Sequence, residues 1–256
     1  MKRRAINWNL IKYEIRNIIG NIFTVFFGVI FPIVMSLLIS QTYKSQVPKE
    51  VLPKMMTGIF ITMSLISPMA IILIGYSANY SQEIEKEIPL RLRLFGYSEK
   101  SLLISKLIAY MIFTIISLLI YSFINIAILD IQTPKLSALI SYMLSLFIIT
   151  VIFFILAHGL AMLLRKYGPT YAVTMILYFA FMIVCGMMGV KVNQLPEIVQ
   201  SVAYTLPMTY ISTDFVEFWE KGNYNFGPLF LSTIFLGIVS LVILFFGIKR
   251  SNKIKK

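Results

Sequence analysis

An all-α integral membrane fold with six transmembrane helices is what this sequence predicts, on three observations. Of its 256 residues, 58% are hydrophobic and only 13% charged, with a mean hydropathy of +0.83. A soluble domain reads about 45–50% apolar and about 25% charged. The apolar excess falls in runs of roughly twenty residues or more, the length that crosses about 30 Å of hydrocarbon. Charge is confined between those runs, above all to residues 81–106, SQEIEKEIPLRLRLFGYSEKSLLISK. That stretch holds four of the eleven acids (Glu83, Glu85, Glu87, Glu99) and five of the 23 Lys and Arg (Lys86, Arg91, Arg93, Lys100, Lys106). Water is expected to hold it.

A single transmembrane domain over residues 1–256 follows. In residues 1–19, Trp8, Ile11, Ile15, Ile18 and Ile19 recur at helical spacing, with Leu10 off the stripe. A basic helix with such a face reads as an amphipathic helix lying in the membrane interface. Span one covers 21–42, where Pro32 predicts a bend because proline removes a backbone donor. Span two covers 55–80, and the charged segment 81–101 follows. Span three, 102–129, takes Ser98 as its helix cap; span four is 137–164, span five 170–190 and span six 226–248. Residues 191–225 are too broken by Pro196, Pro207 and Gly222 for a span and too aromatic for a free loop. Short outer half-helices in a re-entrant segment satisfy both facts. The first apolar run is too long for a signal-peptide core, so span one is expected to stay. Cys185 reads as a buried small apolar residue, and one cysteine forms no internal disulfide.

Six spans place both termini on one side. That side then carries 17 of the 23 Lys and Arg, and its net charge is +12 against zero on the other. The positive-inside bias makes it cytoplasmic, in a multi-pass protein of the cell membrane. Anionic lipid headgroups account for the charge, so nucleic acid is not an expected partner.

Several chemistries lack their residues. Inside the spans His158 is read as the one ionisable group, hydrogen-bonded to a neighbouring helix rather than serving a proton relay. No GxxxxGK[ST] loop exists to bind ATP, and one His and one Cys offer no metal-ligand spacing. Glu83, Glu85 and Glu87 read as a solvated face beside Lys86 rather than a catalytic set. Asp214 and Glu217 read as solvated helix polars.

Residues 89–95, PLRLRLF, alternate as a strand would. A lone strand between membrane helices has no ladder partner, whereas a short helix pairs its backbone internally. Leu90 and Leu94 then share a face with Arg91 beside them, and Gly96 ends the helix. Apolar knobs beside guanidinium forks suit docking into a groove on another protein.

The chain resembles the permease subunit of ABC-2 type ABC transporters, of the bacterial exporter type. The features that carry the resemblance are the amphipathic start (Ile6–Ile19), the glutamate-rich stretch from Glu83 through Leu94 to Lys106, the six spans, and Leu195-Pro196 with Pro207-Met208-Thr209-Tyr210 before the last span. The family often has Gly-Thr after the glutamates and Pro before span three, where this chain has Glu87-Ile88-Pro89 and Gly96.

That resemblance implies a cytoplasmic coupling helix between spans two and three, with Glu83, Glu85, Leu90, Arg91, Leu92, Arg93, Leu94, Phe95 and Gly96 gripping an ATPase. It implies two ABC ATPase subunits, a second permease copy as homodimer or related heterodimer, and no cofactor in this chain, ATP and Mg being held by the partner. Spans one, two and five line the path in the family, which points to Phe27, Phe31, Phe60, Met63, Met175, Tyr178 and Met182. Such side chains suit export of an amphipathic peptide or drug. The rival readings are export of a lipid-linked glycan, an ATP-independent carrier, and an immunity or scaffold protein.

Overall fold

The computed structural model describes residues 8–44 and 46–254, and every regular element among them is a helix. Residues 1–7, the first part of the expected interfacial helix, lie outside the described residues, as do Lys255 and Lys256. Helix α1 is Trp8–Gly20. Six helices are long and apolar enough to cross a membrane: α2 (Ile22–Lys44), α3 (Leu52–Glu85), then, after the short α4 (Ile88–Leu94), α5 (Glu99–Ile128), α6 (Leu136–Leu164), α7 (Tyr167–Val184) and, after α8 (Glu197–Ala203) and α9 (Pro207–Lys221), α10 (Gly227–Ile254).

Helix α3 is the axle of the bundle. Its apolar stretch is 89% buried, against 22–44% for the other five. At 34 residues it is also roughly 50 Å long, well beyond the hydrocarbon thickness. It is therefore too long for the apolar layer, and part of it is helical beyond that layer. Helices α2, α6 and α7 pack around it, while α10 packs along α6 and α1 along α5.

Polar side chains join these helices, as expected where hydrophobicity cannot drive one apolar helix onto another. Ser36 on α2 donates to Asn125 on α5 at 2.7 Å, and Tyr121 on α5 donates to the Phe60 carbonyl on α3 at 2.9 Å. Ser77 on α3 reaches Thr174 on α7 at 3.1 Å.

The effect of Pro32 takes a specific form. Lacking an N–H, it cannot bond the Gly28 carbonyl one turn earlier. The backbone widens into a π-helical turn over Phe26–Ile30, and Ser117 of α5 donates to the freed Gly28 carbonyl at 2.7 Å. A second π-helical turn, Ala70–Tyr76, lies just after Pro68 in α3. The two wide turns interlock. A Cβ on Gly28 would lie 2.4 Å from Ile71 Cγ1, and one on Gly75 would lie 2.4 Å from Thr24 Oγ1.

The tightest helix contact joins α6 and α10. A Cβ on Gly159 would lie 2.7 Å from the Leu244 nitrogen, and one on Gly247 would lie 2.7 Å from the Gly159 carbonyl oxygen. Backbone cannot swing aside as a side-chain tip can. Gly159→Val is therefore expected to push α10 off α6 and to cost about 1–3 kcal/mol. A drop in the melting temperature of the detergent-solubilised protein checks it.

Residues 191–225 fold as α8 and α9. Ile211, Phe215, Phe218 and Trp219 bury one face of α9 against α3 and α6. Cys185 is buried, and its carbonyl accepts the Ser212 hydroxyl at 2.8 Å.

Candidate functional site

The far end of α3 brings together residues that the sequence places far apart. Glu83 sits in the last turn of α3 and is buried. Lys106, two turns into α5, is also buried, and its ammonium lies 2.7 Å from Glu83 Oε1. The same nitrogen lies 2.8 Å from both Oε1 and Oε2 of Glu14 on α1. Those contacts occupy all three donors of the ammonium.

These contacts correct three expectations. Water does not hold the whole of 81–106, because Glu83 and Lys106 are inside the protein. Glu83 is not part of a solvated face beside Lys86. Nor is His158 the one ionisable group of the expected spans, since Lys106 falls in the expected span 102–129 and is buried. The inward face of α1 also differs from the expected stripe. Leu10, Ile11, Glu14 and Ile18 are buried, whereas Trp8 and Ile19 point outward. The reason is electrostatic: α1 turns its one carboxylate toward the buried ammonium, and Leu10 comes inward with it. Burial pushes the Glu14 carboxyl above the usual carboxylate range; Lys106 opposes that rise and Glu83 adds to it.

The ion cluster continues into an aromatic and amide network. The Lys106 ammonium lies 5.8 Å from the Tyr80 ring centroid, and that ring stacks on His158 at 4.6 Å. His158 Nδ1 and the Tyr76 hydroxyl share a hydrogen bond of 2.6 Å, so the histidine is tied to a neighbouring helix. Asn79 bridges α3 to its neighbours: it donates to Tyr110 on α5 at 2.9 Å and accepts from Asn21, the cap of α2, at 2.7 Å. One end of the bundle is thus cross-linked through α1, α2, α3, α5 and α6.

Glu85, two residues after Glu83, is exposed and accepts the Tyr167 backbone N–H at 2.9 Å. A carboxylate there faces the positive end of the α7 dipole. Helix α3 is thereby tied to α7 as well.

Helix α4 hangs from this anchored end. It buries no residue. Leu90, Leu94 and Phe95 are 50%, 72% and 70% exposed, and Arg91 is exposed beside them. Leu92 is half-buried, and Arg93 pairs with Glu99 at 2.6 Å on the surface, a contact of small energetic weight. Gly96, at φ 93°, closes the helix: its N–H bonds the Arg93 carbonyl and that of Tyr97 bonds the Leu92 carbonyl. The first residue of α5 follows the Ser98 cap, whose hydroxyl accepts the Ser101 N–H at 3.0 Å.

The turn from α3 into α4 runs through Glu87 at φ 56°. A left-handed conformation costs a residue with a Cβ about 1 kcal/mol relative to glycine. Glu87→Gly is expected to raise the melting temperature slightly, because glycine adopts this turn without strain and nothing buried is lost.

The residues proposed from the resemblance for a path divide into two places. Phe27 lies 5.6 Å from Phe31 and 6.4 Å from Tyr178 between ring centroids, so α2 and α7 share an aromatic cluster. Met182 is buried one turn beyond Tyr178, and Met175 is half-buried. Phe60 is elsewhere: it stacks on Tyr121 at 5.5 Å and meets Trp219 of α9 at 6.1 Å. Met63, one turn along α3 from Phe60, is buried as well.

Glu14 and Lys106 were the residues missed. A signal existed for each: Glu14 falls three after Ile11 and four before Ile18, on the inward face of α1, and Lys106 interrupts an apolar run. No curated protein matches the sequence. The sequence pattern of the ABC-2 type transporter matches residues 7–218. With six helices long and apolar enough to cross a membrane in that region and just after it, the chain belongs to the ABC-2 type transporter family, as a multi-pass permease and transport subunit rather than a catalytic one.

Proposed function

We propose that this chain is the membrane half of an ATP-driven exporter, coupled to its ATPase through α4. The carrying observation is that α4 offers Leu90, Leu94, Phe95 and Arg91 to the outside while burying nothing of its own. An apolar surface beside a guanidinium, on an element that touches α3 and α5 but buries none of its side chains fully, fits a groove on a partner. The Glu14–Lys106–Glu83 cluster makes that element a lever. A push on α4 reaches the ends of α3 and α5, which are held to each other and to α1 by buried charge.

In this reading both termini are cytoplasmic, two ATPase subunits bind ATP and Mg, and two permease copies form the path. The aromatic cluster of Phe27, Phe31 and Tyr178, with Met175 and Met182, supplies the wall met by an amphipathic peptide or drug, since methionine adapts to varied shapes. Phe60 and Met63 support that wall from the packed interior. Reconstitution of the permease with its ATPase in nanodiscs tests the proposal. A matching substrate should stimulate ATP hydrolysis, and transport that persists without ATP would refute it.

A further inference from the structure

Along α10, Val242, Phe245, Phe246, Lys249 and Lys253 recur at spacings that put them on one helical face, and all are exposed. Ile238, Leu241, Val242, Phe245 and Phe246 line a shallow apolar notch of about 410 Å³. Lys249 and Lys253 continue the line of the notch toward the end of the helix, with Arg250 beside them. The opposite face is fixed inward. Gly247 lies against Gly159, and Arg165, the C-terminal cap of α6, donates to Ser251 at 3.1 Å. The notch and its cations consequently point away from the bundle.

No carboxylate among the described residues pairs with Lys249, Arg250 or Lys253. Of the acids at this end of the bundle, Glu14 and Glu83 are engaged by Lys106, Glu85 by the α7 start and Glu99 by Arg93, while Glu87 is exposed in the turn between α3 and α4 and pairs with none of the three α10 cations. A second permease copy is a poor occupant. Two copies in one membrane run the same way, so a twofold contact through this face would set the cationic ends side by side.

We infer that this face of α10 is a binding site for an anionic phospholipid, its phosphate held by Lys249, Arg250 and Lys253 and one acyl chain laid in the notch. An apolar groove ending in three cations that pair with no described carboxylate matches the two halves of such a lipid in order and in sign. The inference rests on the proposed orientation only for which leaflet supplies the lipid, and not on coupling to an ATPase.

Native mass spectrometry of the detergent-solubilised full chain, titrated with phosphatidylglycerol or phosphatidylcholine of the same acyl chains, tests it. Phosphatidylglycerol should be retained about tenfold or more tightly. The K249Q/R250Q/K253Q variant should lose that preference, while K44Q/K49Q/K54Q, at the other end of the bundle, should keep it. Equal retention of the two lipids by the unaltered protein would overturn the site, as would a preference that survives neutralisation of all three α10 cations. The assay contains no ATPase, so a failed transport experiment and a failed lipid experiment are separate results.

Discussion

Replacing Lys106 with methionine is expected to destabilise the protein by about 3–5 kcal/mol, the cost of leaving buried charge unpaired. Methionine matches the length of the lysine stem, so packing changes little. What changes is that Glu14 and Glu83 lose the ammonium that sits 2.7–2.8 Å from their oxygens. Two buried carboxylates would then face each other. Against a typical total stability of about 5–15 kcal/mol, that loss is large. A thermal melt in detergent, read by the surviving monodisperse fraction, checks it. The triple variant K106M/E14Q/E83Q should recover most of the lost stability, because replacing a whole buried ion cluster by neutral groups is often nearly neutral. K106M melting with the unaltered protein would show that the cluster holds nothing together. A triple variant that is stable yet no longer links ATP hydrolysis to transport would instead assign the cluster to force transmission.

The contrast between the spans and this cluster shows what one sequence reveals. A run such as 137–164 can be recognised because hydrocarbon imposes the same demand on every residue, and the helix found there is Leu136–Leu164. Helix α3 runs Leu52–Glu85, beyond the 55–80 expected, since hydropathy marks the bilayer while the helix continues as long as it finds partners. Ser98 and Gly96 were recognisable as punctuation, because capping chemistry is local. The ion cluster was not. Lys106 lies 92 residues from Glu14 and 23 from Glu83, and a charge carries no mark of whether its partner is water or another residue. Phe60 is a similar case: its place on span two was readable, but not that Tyr121, Tyr142 and Trp219 surround it.

The α4 surface makes the opposite kind of prediction, one in which the fold survives and the function does not. L90D/L94D is expected to leave the protein inserted and folded, because α4 buries none of its residues and both leucines are at least half exposed. Association with the ATPase should weaken by roughly 30-fold to 1,000-fold, the range for losing two apolar anchors at about 2–4 kcal/mol together, since each aspartate must also be desolvated in the partner groove. Arg91→Ala should cost less, because an exposed guanidinium contributes mostly through whichever carboxylate it meets. Co-purification of the ATPase with tagged permease reads the association directly, and a melting curve on the same sample confirms that the fold is intact. Full recovery of the ATPase by L90D/L94D would mean that the motor grips the permease elsewhere, and that the exposed leucines of α4 face lipid or water.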